Sequence, residues 1–265
     1  MSEPLRLLSW NVWDMLGDPL AVARVLRSAR PDVACLQEAP RRPGSRWRLT
    51  ALARASGLQF VAGGRASAGT ALLCSARVVV RDVEAFRLPV EGWRSRPRGA
   101  VLATAGLPGG LPLRVACVHL GLQEGERLHH ARMLRHRLGR SGLPAVVAGD
   151  FNELPGGPSW RAFDGMADDP DPDAPPTFRA PRPRRRIDAV LAGPGVRVSE
   201  YARWTPDERD VRLASDHHPV LVLADRSDEA GGPAGPLGAE VPGREHVAPV
   251  VQGDDPLVTD LHAEP

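Results

Sequence analysis

Short apolar runs that stop abruptly on polar residues set the rhythm of this chain. Ala145-Val146-Val147-Ala148 has the length and composition of a buried strand and ends on Gly149-Asp150-Phe151-Asn152. The two-residue period of a strand puts Asp150 and Asn152 on one side and the Phe151 ring on the other. Comparable strands are expected at Leu5–Val12, Val33–Leu36, Gln59–Ala62, Thr70–Cys74 and Val78–Val83. The series continues with Ala100–Ala105 and Leu113–His119, split by a Gly-Pro turn, and closes with Ile187–Leu191, Val196–Trp204 and Val220–Ala224.

Helices fall between them. Asp18 as N-cap and Pro19 at the first helical position open one that carries Leu20, Ala23, Val25 and Leu26 and ends before Pro31. Ser45–Ser56 is a second, ended by Gly57. Glu124–Arg140 is amphipathic, with Leu128, Ala131, Leu134 and Leu138 inward and His129, His130 and His136 on the solvated face. A short helix near Ser159–Phe163 precedes a Pro/Asp-rich loop from Asp168 to Pro183. The mixture of strands and helices is an α/β pattern with mixed sheets. Periodicity vanishes after Asp225, so one folded domain is expected over 1–225, followed by a disordered Gly/Pro-rich tail over 226–265.

Charge divides the same way. All 34 basic residues are arginine, and the tail holds two of them against eight of the 32 acidic residues. A basic body with an acidic tail favours anionic partners. Arginine abundance alone is weak evidence for nucleic acid where lysine is absent throughout. Three cysteines, Cys35, Cys74 and Cys117, lie inside apolar runs and read as buried thiols in a reducing compartment. With no secretory leader pattern and no apolar run of spanning length, a soluble cytoplasmic protein without membrane insertion is expected.

The strand ends carry the chemistry. Asn11, Glu38, His119, Asp150 with Asn152, Asp188, and Asp216-His217 each stand where an apolar strand ends or begins. Each alone has an ordinary reading as a cap, turn-former or satisfied histidine. Together at sheet ends they can assemble one site. Carboxylate and amide oxygens without cysteine ligands suit Mg²⁺ or Mn²⁺, and zinc-ligand spacing is absent. Asp216 beside His217 offers a carboxylate–imidazole pair. No Gly-x-Ser-x-Gly elbow and no phosphate-binding Gly-x-x-x-x-Gly-Lys loop occurs.

In order, Ser9-Trp10-Asn11-Val12, Leu36-Gln37-Glu38, Val118-His119-Leu120, Gly149-Asp150-Phe151-Asn152, Arg186-Ile187-Asp188 and Ser215-Asp216-His217-His218-Pro219-Val220 resemble the endonuclease/exonuclease/phosphatase superfamily. The resemblance spans roughly residues 5–224 and implies a four-layer α/β sandwich, two packed mixed β-sheets flanked by helices. It implies Glu38 as main metal ligand with Asn11 close by, and Asp188 tied to the metal or to pocket polarity. Asp150 would orient or deprotonate the attacking water, and Asn152 would donate to the transition state. His119 would bind phosphate, and Asp216 and His217 would form the paired site residues, with the base left open between Asp150 and His217.

One position departs from the pattern. Abasic-site endonucleases in that superfamily place a tyrosine between the Glu and His motifs, whereas the single tyrosine here, Tyr201, follows Asp188. Arg94, Arg96 and Arg98 occupy that region, and Arg96 or Arg98 reads either as a substitute phosphate contact or as a plain surface arginine. Arg182, Arg184, Arg185 and Arg186 run up to Asp188 and would rim the site for a polyanion. Trp93 and Trp204 are the stacking candidates, while Trp10, Trp13 and Trp47 are expected to pack in the core. The expectation is a Mg²⁺- or Mn²⁺-dependent phosphoesterase, first a nuclease on DNA or RNA. The alternative is an enzyme for inositol, lipid or other small phosphates, and a non-catalytic binding module comes third.

Overall fold

The apolar runs become strands of two sheets. In chain order the elements are β1 (Leu5–Asn11), α1 (Pro19–Ala29), β2 (Val33–Gln37), α2 (Ser45–Ser56), β3 (Gln59–Gly63), β4 (Ala71–Cys74), β5 (Val79–Arg87) and β6 (Gly99–Gly106). They continue with β7 (Leu113–His119), α3 (Glu124–Gly139), β8 (Ala145–Asp150), α4 (Pro158–Arg161), β9 (Asp188–Ala192), β10 (Val196–Ser199), α5 (Glu208–Ala214) and β11 (Val220–Arg226). This computed structural model describes residues 3–92, 95–201 and 203–226, so the expected tail, Arg226 apart, lies outside the described residues.

One sheet has the order β10-β11-β1-β2-β4-β3 and the other β5-β6-β7-β8-β9. Their inner faces meet through Leu7, Cys35 and Val222 on one side and Val101, Cys117 and Val146 on the other. The helices α1, α2 and α5 cover the outer face of the first sheet through Val22, Leu26, Leu52 and Val211. On the second sheet, α3 and α4 bury Leu134, Leu138 and Trp160. The result is the four-layer α/β sandwich that the resemblance implied.

The differences from the expected elements have local causes. β5 runs on to Arg87 because it is an edge strand whose exposed residues include Asp82 and Glu84, so no apolar run marks its second half. The strand expected to reach Trp204 stops at Ser199, where Glu200 takes φ 54° and turns the chain. α5 was not expected: it buries only Val211 and Ala214, too short a signal, and forms because the Asp207 side chain caps Arg209 and Asp210. In α3, Leu128 is only half-buried and His130 is fully buried, the reverse of the expected arrangement. Trp10 packs as expected, but Trp13 and Trp47 are exposed.

Phe151 is fully buried against Trp160, with ring centroids 4.8 Å apart, and meets Phe163 edge-on at 6.1 Å. This ring anchors the chain between Asp150 and Asn152. Phe151→Ala should lower unfolding free energy by about 3–5 kcal/mol in urea titration, and a loss below about 1 kcal/mol would contradict that anchoring role.

Candidate active site

Strand direction brings the polar ends together. β1 and β2 run parallel, as do β7 and β8, while β9 and β11 run antiparallel to them. Strand pairing sets His119 beside Asp150 and Asp150 beside Asp188, three neighbours in one row. Across the seam, Asn11 at the end of β1 donates its amide to Asp150 Oδ2 at 3.0 Å. A Cβ at Gly149 would overlap the Val118 carbonyl oxygen, so glycine is required for β8 to lie this close to β7.

Asp150 is buried and held from several directions. His119 Nε2 stands 3.4 Å and His217 Nε2 4.0 Å from its Oδ2, while the Asn152 amide donates to Oδ1 at 2.9 Å. Burial, with the Asp188 charge adding to it, pushes the carboxyl up to about 6 against the pull of His217 and these donors. Asn152 in turn donates its side-chain amide to Leu120 O at 3.0 Å, tying the ends of β7 and β8 together.

His217 is oriented by Asp188. Its Nδ1 donates to Asp188 Oδ2 at 2.8 Å, and its backbone N–H donates to Ser215 Oγ at 3.0 Å. Phe178 lies against the ring at 4.7 Å between centroids. Burial favours the neutral imidazole, but Asp188, Asp150 and Asp216 outweigh it and push His217 up to about 9. The ring is therefore a cation at neutral pH. The sequence-adjacent Asp216 is not the orienting partner: its Oδ1 stays 4.0 Å from Nε2, and its other oxygen lies 3.7 Å from Arg179. Thr177 donates to the same Asp188 oxygen at 2.6 Å. Nothing in the sequence marked Thr177, a single hydroxyl within a long Pro/Asp-rich loop.

The second histidine is its opposite. Arg98 Nη1 stands 3.5 Å from His119 Nδ1 and 3.6 Å from Glu38 Oε1. An arginine can only donate, so Nδ1 accepts and the His119 proton sits on Nε2, facing Asp150. Burial, then the charges of Arg98 and His217, holds His119 well below the usual histidine range and keeps it neutral. Arg98 is itself buried, and that burial pulls its pKa down despite Glu38 and Asp150. Arg41 adds positive charge to both Arg98 and His119; only its place three residues after Glu38 hinted at this.

Beneath these loops lies a buried polar brace. Arg127 pairs with Glu153 at 3.1 Å and donates to Leu122 O at 2.8 Å, while Glu153 accepts from Ser159 N at 2.7 Å. His130 accepts from Gly121 N and donates to Pro89 O. Turning Arg127 and His130 inward thus secures the segments after His119 and Asn152, which explains the inverted face of α3.

The remaining candidates separate clearly. Arg96 and Arg185 are exposed, whereas Arg186 is buried in a structural pair with Asp169 at 2.8 Å and with Tyr201, and so is no part of a free basic rim. Trp204 is half-buried against the outer helices. Trp93 and Arg94 lie outside the described residues. Trp13, Asp14, Met15, Glu38 and Asn152 all take φ between 47° and 53°, a left-handed backbone that costs roughly 1–2 kcal/mol per residue without glycine. Strain gathers at this edge.

The donor set fits a hard divalent cation. Asp150, Asp188 and His217 offer atoms within 4.8 Å of one another, and Asp188 Oδ1 is buried without a hydrogen-bond partner. Because His217 Nδ1 is already bonded to Asp188, oxygen donors are the better ligands.

A model of the endonuclease/exonuclease/phosphatase family matches residues 8–217. A sequence comparison with curated proteins returned no match. Among solved structures, the chain is similar to a Bacteroides thetaiotaomicron mannosyl-6-phosphatase at TM-score 0.69 and 19% identity, covering 83% of this chain and 99% of that one. The human Nocturnin catalytic domain is similar at 0.64 and 18%, covering 86% and 96%. D. rerio TDP2 with a single-strand DNA product is similar at 0.63 and 21%, covering 84% and 100%. At such identities these likenesses show the fold. Among the described residues, no helix is long and apolar enough to cross a membrane.

In metal-free protein, NMR titration should show His217 losing its proton near pH 9 and His119 remaining neutral down to well below pH 6.5. A His217 midpoint near 6.5 would mean that Asp188 and Asp150 do not act on the ring as their geometry requires.

Proposed function

We propose that this chain, which belongs to the endonuclease/exonuclease/phosphatase family, hydrolyses phosphodiester bonds of nucleic acid with Mg²⁺ or Mn²⁺. The observation that carries this reading is the His119–Asp150–Asp188 row, closed from the opposite sheet by Asn11 and from the last loop by His217. Buried acids, amides and a fixed imidazolium facing one another are the parts water attack on phosphorus needs.

Asp150 is the base. With its carboxyl near 6 it is mostly ionised at neutral pH, whereas His217 already carries its proton. The water oxygen bonds to phosphorus as the ester P–O bond breaks; the water proton passes to Asp150, and the leaving oxygen takes a proton from solvent. Asn152 and the His217 Nε2–H donate to the phosphoryl oxygens, and neutral His119 holds Asp150 in place. Arg98, buried beside Glu38 and His119, contributes fixed positive charge to the phosphate, and exposed Arg96 and Arg185 attract the polyanion from outside. Asp216 adds negative charge that keeps His217 protonated. Asp188, from the close donor group, would hold the cation with Asn11 and Glu38, which the resemblance assigns to it although Glu38 lies outside that group and faces Arg98. The cation when bound would offset negative charge on the phosphoryl group.

Nucleic acid is preferred because the arginines around the site outnumber what one small phosphate uses, and similar folds include one solved with a DNA product. A second reading, hydrolysis of a small-molecule phosphate, draws on the higher fold likeness to a mannosyl-6-phosphatase. The three free buried cysteines support a reducing, cytoplasmic setting.

Asp150→Asn and His217→Ala should each lower turnover at least about a hundredfold while keeping the native circular dichroism spectrum. Near-normal activity in either removes that residue from the mechanism. EDTA should abolish turnover and Mg²⁺ or Mn²⁺ should restore it. A panel of DNA, RNA, abasic-site duplex, inositol phosphates, sphingomyelin and bis-p-nitrophenyl phosphate tests the substrate. Hydrolysis confined to the small phosphates would overturn the nuclease reading.

A further inference from the structure

Two tryptophans expected to pack in the core stand in solvent instead. Trp13 is 41% and Trp47 is 76% exposed. Trp13 follows Asn11 by two residues, and its backbone N–H donates to Asn11 Oδ1 at 3.0 Å, the same amide group that reaches Asp150. Trp13, Asp14 and Met15 are three consecutive left-handed residues without a glycine among them. A turn of that kind persists only where surrounding bonds over-determine it, and such turns gather at ligand contacts. The bonds are present: Met15 N donates to Val12 O and Leu16 N to Trp13 O, each at 2.9 Å. The backbone is thus committed to holding Trp13 in solvent, two residues from Asn11.

Met15 from this turn and Trp47 from α2 line one groove of about 330 Å³ together with Leu20, Leu52 and Arg48. Exposed Arg42, Arg46 and Arg48 flank Trp47, and half-buried Arg41 leads back to the site, where its charge is felt by Arg98 and His119. Of the nearby acids, Asp18 caps α1 and pairs with Arg24, and half-buried Asp14 stands within the turn against four arginines. Exposed tryptophans interleaved with arginines, one of which acts on the site residues, fit a backbone of phosphates with free base faces.

We propose that Trp13 and Trp47, with Arg41, Arg42, Arg46 and Arg48, form a binding track for the unpaired nucleotides adjoining the scissile phosphate, so that the substrate is single-stranded. This rests on the nuclease reading and adds its strand preference. Base faces are available to tryptophan only when the bases are unpaired; a duplex offers the same phosphates but hides those faces. A membrane surface also takes tryptophan and arginine, and Leu16 and Leu20 are exposed beside this groove, so vesicle binding is one arm of the test.

The test separates binding from catalysis. Fluorescein-labelled oligo(dT) of twelve nucleotides is titrated into the full chain in EDTA, followed by anisotropy and by quenching of tryptophan fluorescence. Trp13→Ala should weaken binding about tenfold or more, Trp47→Ala by a smaller factor, and Trp13→Phe should restore most of it, since removal of one stacking partner has effects of this size. Duplex of equal length should bind more weakly than the single strand. Equal affinity for single strand and duplex, or an unchanged affinity in Trp13→Ala, overturns the track. Binding of phosphatidylglycerol vesicles with no binding of oligo(dT) overturns it in favour of a lipid surface. Failure of the track would leave hydrolysis of a generic phosphodiester intact. Failure of the nuclease reading would appear as loss of hydrolysis on every nucleic acid in the panel, even with oligo(dT) bound.

Discussion

Two buried carboxylates, Asp150 and Asp188, are laid side by side by strand register, and the site's other bonds answer that placement. Like charges this close repel strongly where water is scarce. The structure offsets them with a cation and with donors: His217 between them, Asn11 and Asn152 on Asp150, and Thr177 on Asp188. These groups come from separate stretches of the chain. Asn11 belongs to the opposite sheet, so its 3.0 Å bond to Asp150 depends on the packing of Leu7, Cys35, Cys117 and Val146 between the sheets. The inner core sets this distance as well as contributing to stability.

The same electrostatics divide the two histidines. Both are buried, and burial alone would leave both neutral. His217 faces three carboxylates and is cationic, whereas His119 faces Arg98 and His217 and is neutral. One row of residues thereby holds a charged donor and an uncharged one a few ångströms either side of Asp150. Environment assigns their roles, as residue type cannot.

What could be read from the sequence follows from how local the signal was. Strand ends are local: an apolar run stopping on Asp150 or His119 announces itself, and strand directions then bring those ends to one edge. The partner of His217 is not local. Adjacency favoured Asp216, but neighbouring residues project in different directions, and Asp188, twenty-nine residues back, meets the ring instead. Thr177 and Arg41 act through long-range packing and left little trace. The helix α3 misled for a related reason: periodicity assumes that polar residues seek water, whereas Arg127 and His130 turn inward to find partners in Glu153, Leu122, Gly121 and Pro89.

That inversion shows how the fold carries a strained edge. Left-handed backbone at Trp13–Met15, Glu38 and Asn152 costs free energy that local sequence does not return. Burying an ion pair such as Arg127–Glu153 adds little net stability compared with an apolar pair, because both charges must first lose their water. Its value lies in direction: the guanidinium binds the loop after His119, and the carboxylate binds the segment after Asn152. With those two segments fixed from below, Asn152 can keep its left-handed φ and its bond to Leu120 O while presenting its amide above. Stability from three apolar interfaces is thus partly converted into the placement of a few polar atoms, and this accounts for charged residues in a helix face that packing alone would have made aliphatic.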